Sequence, residues 1–177
     1  VGGKSQLIKV LSNKYPKSFN NYHEIFLGGG SVLISVLELK KQGYIHFNKC
    51  NAYDKNQRLI SLYKHIQSNK DKLLEEVNKL KTTYKSLPFL GEKGRIKVET
   101  IDEAMTSQAK YYYYQRNRFI NIDKTSVEGA ALFIFINKTC FRGVYREGPN
   151  GFNVPFGNYK KTPNIISKKE LDYLSEL

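Results

Sequence analysis

Hydrophobic and polar positions in the first third of the chain predict a βαβ unit. Residues 22–26 are predicted to form a short buried strand, and the apolar stretch 31–39 has helical spacing. A second strand is predicted within 44–53, with Asp54 at its end. A strand, a glycine-rich turn, a helix and a second strand in this order predict two parallel strands joined by a helix.

From Leu59 onward the pattern becomes helical. Apolar side chains at helical spacing over residues 73–87 form one stripe among Lys and Glu residues, which predicts a helix with one buried face. The tyrosine run 111–114, followed by Arg116 and Arg118, has two interpretations. It is either a stacking surface beside phosphate-binding guanidinium groups or, at helical spacing, part of a core.

Capping boxes mark the starts of three further helices. In a capping box, a Ser or Thr side chain and a Glu three residues later bind free backbone N–H groups, and the sequence has this pattern at Thr100, Thr125 and Ser167. The helix that begins at Thr100 is predicted to run to residue 119. The helix that begins at Thr125 contains the almost wholly apolar run 129–136, which predicts a buried helix.

Composition indicates a globular protein with an anionic partner. The 177 residues are 40% hydrophobic and 25% charged, and the net charge is +13. This excess favours nucleic acid or an acidic membrane surface as partner. Two cysteines far apart predict reduced thiols, no Cys/His cluster has zinc spacing, and no apolar run is long enough to span a membrane. We therefore expect an intracellular, reducing compartment, such as the cytoplasm of a prokaryote or of a virus-infected cell.

Residues 137–157 are unlike a core segment, because they alternate Gly, Pro and Asn with aromatic residues and two arginines. Stretches of this kind form surface loops or hairpins, where function concentrates. Guanidinium groups suit guanine edges and phosphates, and aromatic rings suit stacking on bases. The run predicts contact with nucleic acid. The alternative is a glycine-rich hairpin with scattered surface charge.

The turn 25–31, Ile-Phe-Leu-Gly-Gly-Gly-Ser, is a candidate nucleotide-binding loop. Glycines let the backbone approach a ligand, and the N-terminus of the following helix favours negative charge. An acidic residue after the next strand, here Asp54, suits ribose hydroxyls. Leu33 occupies the place of the third glycine of Gly-x-Gly-x-x-Gly, which favours S-adenosylmethionine over NAD or FAD. A tight turn between strand and helix is the alternative.

The first residues of the chain, Gly2-Gly3-Lys4-Ser5, have three interpretations. They match the end of a P-loop, Gly-x-x-x-x-Gly-Lys-Ser, although the strand and first glycine of that motif would precede Val1. They also suit a lysine near a cofactor carboxylate, or a plain capped helix. A chain that begins at Val1 without Met suggests a start inside a longer protein.

Several blocks of sequence, taken in order, resemble one family. Residues 1–4 look like the end of Trp-Ala-Gly-Gly-Lys, and residues 24–32 are similar to Glu-Pro-Phe-x-Gly-x-Gly-Ser-Val, with Ile25 in place of Pro. Residues 53–63 resemble Asn-Asp-x-Asn-x-x-Leu-Ile-x-Leu-Tyr, and residues 137–160 resemble a segment that ends in Phe-Asn-Val-Pro-Phe-Gly-x-Tyr-Lys. These are the motifs of the DNA adenine methylase (Dam, D12-class) family of N6-adenine DNA methyltransferases.

The resemblance implies the fold and its divisions. The fold would be α/β, with a Rossmann-like S-adenosylmethionine-dependent methyltransferase core, incomplete here, and a mainly helical target-recognition insertion that carries a β-hairpin. Residues 1–58 would be the N-terminal part of the cofactor-binding domain. Residues 59–159 would be the recognition domain, with the hairpin at 138–157, and residues 160–177 would return to the methyltransferase domain. The resemblance gives no oligomeric state.

The resemblance also implies a cofactor site. S-adenosylmethionine would donate its methyl group directly to adenine N6, and no metal ion would take part. Asp54 would bind the ribose of the cofactor. The implied cofactor-binding residues are Lys4, Phe26, Gly28, Gly30 and Asp54.

Double-stranded DNA is the implied partner, and GATC is the default target. Phe141 matches an aromatic residue that enters the base stack, and Arg146 matches an arginine that reads guanine, a contact worth ~1–3 kcal/mol of discrimination. Arg142 replaces a smaller polar residue and Asn158 a basic one, which leaves the exact site open. Two apolar positions, Val144 and Pro155, match residues that pack on the thymine methyl group. The implied DNA contacts are Lys138, Phe141, Arg142, Val144, Arg146, Asn153, Pro155 and Asn158.

One motif of the family is missing. The family holds the flipped adenine with (Asp/Asn)-Pro-Pro-(Tyr/Phe), and the five prolines of this chain are never adjacent. We therefore assign no catalytic residue, and we expect a truncated chain of a site-specific adenine methyltransferase that cannot transfer a methyl group alone. A catalytically inactive DNA-binding module derived from such an enzyme is the alternative, and a P-loop NTPase is a third hypothesis.

Overall fold

Helices dominate residues 5–177, which are the residues that the computed structural model describes. The strands in this range form two separate two-stranded sheets. The elements in chain order are α1 (Ile8–Ser12), β1 (Asn21–Glu24), α2 (Ser31–Lys41), β2 (Lys49–Ala52), α3 (Gln57–Ser68), α4 (Lys70–Ser86), α5 (Ile101–Ala104), α6 (Gln108–Asn121), α7 (Val127–Thr139), β3 (Glu147–Gly148), β4 (Gly151–Phe152) and α8 (Lys168–Glu176).

The predicted βαβ unit is present. Strands β1 and β2 are parallel, with Asn21 opposite Lys49 at one end of the ladder, and α2 connects them. The predicted buried strand over 22–26 is instead Asn21–Glu24, and none of its side chains is buried, since exposed and partly exposed residues alternate along it. After Glu24 the chain turns into the glycine loop. The next two side chains are exposed, Ile25 by 63% and Phe26 by 79%. A complete Rossmann-like sheet stays a prediction.

The helix predicted from Thr100 to residue 119 is two helices, α5 and α6. The capping box at Thr100 is present, but α5 ends at Ala104. Ser107 then starts a new helix, because its hydroxyl oxygen accepts a hydrogen bond from the Lys110 backbone N–H at 3.2 Å. A serine that can act as an N-cap favours the start of a new helix, even within a stretch whose spacing is helical throughout.

The start of α7 also differs by one residue from the prediction. Ser126, not Thr125, is the cap, and its Oγ accepts from the Gly129 N–H at 3.0 Å. The Thr125 hydroxyl instead donates to the Asp123 carboxylate at 2.9 Å. The third predicted capping box, at Ser167, is confirmed at the start of α8.

The main hydrophobic core lies among α3, α4, α6, α7, α8 and the segment that follows α7. The stripe predicted on residues 73–87 faces this core, and Tyr84 is fully buried there. In α7, the Phe135 ring meets the rings of Tyr84 and Tyr111 edge-on, at centroid distances of 5.5 and 5.8 Å. Tyr112 and Tyr113 are also buried, so the core interpretation of the tyrosine run is confirmed.

A second, smaller core supports the βαβ unit. Its buried members are Val36, Ile45 and Phe47. The segment after the hairpin packs elsewhere, because Ile165 and Leu171 belong to the main helical core. The boundaries proposed at residues 58 and 159 stay predictions.

Cys50 is exposed, Cys140 is buried, and both are free thiols. Burial raises the pKa of the Cys140 thiol to about 11. Over residues 5–177, no helix combines the length and apolar character needed to cross a membrane. In the same range, no three or more His, Cys, Asp or Glu side chains group in a way that could hold a metal ion.

Candidate functional site

The glycine loop joins β1 to α2 and has a backbone that requires glycine. Gly28 and Gly30 have φ angles of +50° and +70°, in the left-handed region. Gly30 precedes the first residue of α2 and hydrogen bonds to the Leu27 carbonyl at 2.9 Å. A Cβ atom added to Gly30 would lie 1.9 Å from the Tyr63 Oη atom of α3. Helix α3 therefore packs directly on the loop at this point.

Asp54 lies beside the glycine loop. Its Oδ2 atom accepts a hydrogen bond from the Gly28 N–H at 2.9 Å, and its Oδ1 atom accepts from the Asn56 N–H at 2.8 Å. The structure thus brings together Gly28, Gly30 and Asp54, which the sequence proposed for one site. Phe26 precedes them on the same loop with its ring in solvent. The remaining proposed residue, Lys4, lies outside the described residues.

The start of α3 is fixed by Asn56. Its Oδ1 atom accepts hydrogen bonds from the backbone N–H groups of Arg58 and Leu59 at 3.1 and 3.3 Å. Asn56 thereby holds the residues after Asp54 in one conformation, because its side chain caps α3 and its own backbone N–H donates to the Asp54 carboxylate. Hydrogen bonds thus join the loop after β2 to the glycine loop.

The hairpin after α7 is short and closes on the helix that precedes it. Strands β3 and β4 are antiparallel and pair Glu147 with Phe152. The pairing continues toward α7, because Cys140 bridges Phe156 and the Gly157 N–H donates to the Thr139 carbonyl at 2.9 Å. Helix α7 runs to Thr139, so the hairpin proper begins at Cys140, and Lys138 belongs to the last helical turn.

Residues alternate between two faces on the returning side of the hairpin. Phe152, Val154 and Phe156 are buried in the main core, whereas Asn153 and Pro155 between them are partly exposed. This period of two is what a strand with one buried face requires. The outward face therefore carries Asn153 and Pro155, two of the residues proposed to touch DNA.

Arg146 lies opposite Asn153 on this outward face. The Asn153 N–H donates to the Arg146 carbonyl at 3.1 Å, and the Arg146 Nε–H donates to the Asn153 Oδ1 at 2.7 Å. The exposed guanidinium group is therefore held by one of its five N–H groups.

The turn between α7 and β3 presents Phe141 and Arg142. Phe141 is 46% exposed, and the Arg142 guanidinium carbon lies 5.1 Å from the centre of its ring. Arg142 has a φ angle of 56°, which is unusual for a residue other than Gly, Asn or Asp. The Tyr159 hydroxyl holds this turn, because it accepts from the Arg142 N–H and donates to the Cys140 carbonyl, both at 3.0 Å.

A cationic cavity of about 290 Å³ lies beside the hairpin tip. It is lined by Arg95, by Arg116 of α6 and by the tip residues, and no carboxylate is among its lining residues. The Arg116 guanidinium donates to the Val154 carbonyl at 3.2 Å and lies 4.8 Å from the Tyr113 ring centre. These contacts fix the position of one positive charge next to the outward face.

The whole chain, residues 1–177, matches the family of D12 class N6 adenine-specific DNA methyltransferases. The chain belongs to this family. The resemblance seen in its sequence motifs is thereby confirmed, and methyltransferases of this family generally use S-adenosylmethionine as methyl donor.

Individual relatives carry related names. Type II methyltransferase M.MjaIII of Methanocaldococcus jannaschii is 33% identical over 100% of this chain and 56% of its own length. Type II methyltransferase M1.LlaDCHI of Lactococcus lactis subsp. cremoris is 31% identical over 99% of this chain and 52% of its own. The DNA adenine methylase of Haemophilus influenzae is 28% identical over 99% of this chain and 50% of its own length. The chain spans about half the length of these curated relatives.

Three of the proposed DNA contacts of this adenine methyltransferase family member lie apart from the outward face. Lys138 is exposed on α7 and lines a largely apolar cavity of about 440 Å³ together with Gly29. Val144 packs partly against the main core. Asn158 has a φ angle of 52°, and its Oδ1 atom is buried without a hydrogen-bond partner among the described residues.

Sequence reasoning did not find several residues that hold the site together. Asn56 holds the segment after Asp54, and Tyr159 holds the hairpin turn. The Tyr145 ring packs on Phe152 of the hairpin, and Arg58 of α3 is only 4% exposed although it is charged. Asn56 could have been found, because an Asn immediately before a helical run is an N-cap signal. The contacts of the others join residues far apart in the chain, and no local pattern announces them.

Proposed function

We propose that this chain forms the cofactor loop and the DNA-recognition segment of a site-specific adenine-N6 DNA methyltransferase. One observation carries the proposal. The outward hairpin face holds a fixed but exposed arginine, Arg146, in the same chain as a glycine loop hydrogen bonded to Asp54. A carboxylate beside a glycine-rich turn suits a ribose-containing cofactor, and an exposed arginine on a hairpin suits the edge of a base.

The glycine loop fits S-adenosylmethionine. The space above Gly28 and Gly29 is open, because a Cβ atom added at either position would meet nothing within 4 Å. Asp54 uses one lone pair of each oxygen and keeps further acceptor capacity for ribose hydroxyls. Phe26 offers an exposed ring on the same loop. When bound, the cofactor supplies an electrophilic methyl group, and these residues would hold it, with Lys4 as a further proposed contact.

The outward hairpin face fits duplex DNA. Phe141 is the proposed wedge in the base stack, and the Arg142 guanidinium beside it would contact the phosphate backbone of the DNA. The Nε bond of Arg146 to Asn153 leaves its two terminal amino groups for guanine O6 and N7. The cavity next to the tip adds guanidinium groups without a carboxylate, which suits a phosphate. GATC stays the default target within this proposal.

The remaining DNA contacts proposed from the resemblance receive mixed support. Pro155 lies on the outward face beside Asn153, in a position suited to a base methyl group. Val144 and Asn158 have side chains turned partly toward the protein, so we propose that they act by shaping the turn. Lys138 would meet a ligand on the side of the 440 Å³ cavity.

Arg146→Ala tests the assignment of DNA reading. With fluorescently labelled duplexes at fixed salt, the variant should lose ~1–3 kcal/mol of discrimination against a changed guanine, while affinity for unrelated duplexes stays nearly constant. Arg116→Ala is the matched control, because loss of a phosphate contact weakens all duplexes equally and lowers the salt dependence. If Arg146→Ala weakens every duplex by the same factor, Arg146 is a phosphate contact and the proposal is wrong on this point.

Asp54→Ala tests the cofactor site, since loss of the carboxylate should weaken S-adenosylmethionine binding in calorimetry. Unchanged affinity would remove Asp54 from the site.

We further propose that the 177 residues alone do not transfer a methyl group, because none of their prolines are adjacent. Tritiated S-adenosylmethionine and duplex DNA provide the measurement, and incorporation above background would contradict it. A DNA-binding module that keeps recognition and has lost chemistry is the alternative function, and it predicts duplex binding without methyl transfer.

A further inference from the structure

Arg146 and Asn153 face each other across the hairpin, at the end of its short ladder. Glu147 pairs with Phe152, so Arg146 and Asn153 are the next pair away from the tip. The Asn153 backbone N–H donates to the Arg146 carbonyl at 3.1 Å. Residues directly opposite each other on one face of an antiparallel pair have side chains close enough to interact. Here the side chains do meet, so this pair carries a backbone contact and a side-chain contact.

The orientation of the Asn153 amide follows from the chemistry of arginine. The Arg146 Nε–H can only donate, so the amide atom that lies 2.7 Å from it is the oxygen Oδ1. The amide nitrogen Nδ2 then occupies the space beside Gly148, because a Cβ atom added to Gly148 would lie 2.7 Å from it. The amide therefore lies between a guanidinium group on one side and a backbone without a side chain on the other.

Gly148 keeps this space open for the amide. Its φ angle is not in the left-handed region, so the backbone at this position does not itself require glycine. The close contact of an added Cβ atom would be with Nδ2, at the end of the Asn153 side chain. A methyl group at residue 148 would therefore push the amide aside and leave the strands in place. The missing side chain at Gly148 thus serves the contact between Asn153 and Arg146.

The Arg146 guanidinium group has no partner of opposite charge that could hold it instead. The ion pairs formed within residues 5–177 do not include Arg146. The cationic cavity beside the tip is lined by Asn153 and Gly148 but not by Arg146. An exposed arginine without an anchor samples many rotamers, and fixing such a side chain on binding costs affinity. The Asn153 oxygen supplies the anchor before any ligand arrives.

We propose that Asn153 and Gly148 are positioning residues, which aim the terminal amino groups of Arg146 at a guanine edge and so set the discrimination for guanine. This role rests on the proposed function, in which Arg146 reads guanine. Bidentate binding to O6 and N7 needs both terminal nitrogens at once, and a bond at Nε fixes the plane that contains them. Asn153, which the resemblance implies as a DNA contact, then acts through Arg146 instead of touching the base.

Fluorescence anisotropy with chemically modified duplexes tests this role on the full chain. A GATC duplex is compared with one that carries 7-deazaguanine, which lacks the N7 acceptor and still pairs with cytosine. The ratio of the two dissociation constants should be about fivefold or larger in the wild-type chain. Asn153→Ala should lower this ratio by about twofold or more, the lower end of the cost of immobilising one side chain. Gly148→Ala should lower it too, although it removes neither polar group.

The ratio does not respond to a loss of stability, because both duplexes are titrated with the same folded protein. Asn153→Asp keeps an acceptor for the Arg146 Nε–H, so it should keep the wild-type ratio, while its negative charge weakens binding to every duplex. The double variant Gly148→Ala, Asn153→Ala should fall no further than Asn153→Ala, because both changes act on one amide. Asn121→Ala is the matched control, since it removes an amide that donates within α6, and it should keep the wild-type ratio.

The outcomes distinguish the proposed function from this role. If the wild-type chain binds no duplex, or if its ratio is one or is unchanged by Arg146→Ala, Arg146 does not read guanine, and the proposed function and the positioning role both fail. If the ratio depends on Arg146 but is unchanged in Asn153→Ala or in Gly148→Ala, the positioning role alone is overturned. Loss of the ratio in Asn153→Asp would also overturn it. So would an Asn153→Ala variant that loses discrimination against 7-deazaadenine instead of 7-deazaguanine, because Asn153 would then contact a base directly.

Discussion

The consecutive glycines of the cofactor loop should differ in their tolerance of alanine, because their backbones and surroundings differ. Gly30 has a φ of +70°, and an added Cβ would lie 1.9 Å from the Tyr63 Oη and 2.8 Å from its Cζ. Gly28 has a φ of +50° but open space around it, and Gly29 combines open space with no left-handed φ. The same substitution at neighbouring positions thus separates backbone strain from steric overlap.

The magnitudes follow from these differences. A left-handed conformation costs an L-residue about 1–2 kcal/mol, so Gly28→Ala should lower the free energy of unfolding by that amount. Gly30→Ala adds an overpacking cost of about 1–3 kcal/mol, for a total of about 2–5 kcal/mol. Gly29→Ala should be neutral or should stabilise by up to about 1 kcal/mol, because alanine reduces the entropy of the unfolded chain.

Urea denaturation followed by circular dichroism measures all three variants on one scale. The overlap at Gly30 involves the end of one side chain, so a Tyr63→Ala background should remove the steric part of the Gly30→Ala effect and leave the backbone part. A double-mutant cycle would then give a coupling energy of about 1–3 kcal/mol. Equal losses at all three glycines, or a smaller loss at Gly30 than at Gly28, would refute the reasoning.

Two other predictions concern the hairpin turn and the last helix. Arg142→Asn should raise the free energy of unfolding by up to about 1 kcal/mol in the same urea assay, because Asn accepts the left-handed backbone at this position more readily than Arg; an unchanged or lower value would contradict it. Hydrogen bonds from Lys168 and Lys70 lower the pKa of the Asp172 carboxyl below its ordinary 3.8. Its contribution to stability is therefore present above pH 3.8 and is lost as pH falls through the lower folded-state pKa, so Asp172→Asn should reduce the melting temperature at about pH 6, and this reduction should shrink as the pH is taken further below 3.8. A reduction of constant size across this series would show another cause.

Periodic features of the fold were predictable from the sequence. The apolar stripe on residues 73–87 and the run 129–136 have helical spacing; the stripe is the buried face of α4, and the run lies in the buried helix α7. The alternation in Phe152, Val154 and Phe156 could have predicted the buried face of the hairpin, since a period of two places these residues on one side. Patterns of this kind depend only on residues close together in the chain, which is why sequence carries them.

The helix boundaries and the supports of the site were harder to predict, because competing local bonds or distant partners decide them. Ser107 interrupts a stretch that helical spacing favours throughout, since its hydroxyl both caps α6 and bonds to Glu92. Arg58 is buried because Phe119 and the Ile120 carbonyl, at the end of another helix, receive its guanidinium group. No pattern around residue 58 contains that information.

The two unequal cores imply that different parts of the chain open at different free energies. The smaller core beside the parallel strands has three buried members, Val36, Ile45 and Phe47, and a two-stranded sheet is marginal by itself. Amide hydrogens of β1 and β2 should therefore exchange with deuterated solvent well before those of α4 and α7, whose side chains fill the larger core. A ligand that binds beside Asp54 should therefore order this segment more than it orders the main core. Slower hydrogen exchange in β1 and β2 would then be a direct sign that the ligand is bound.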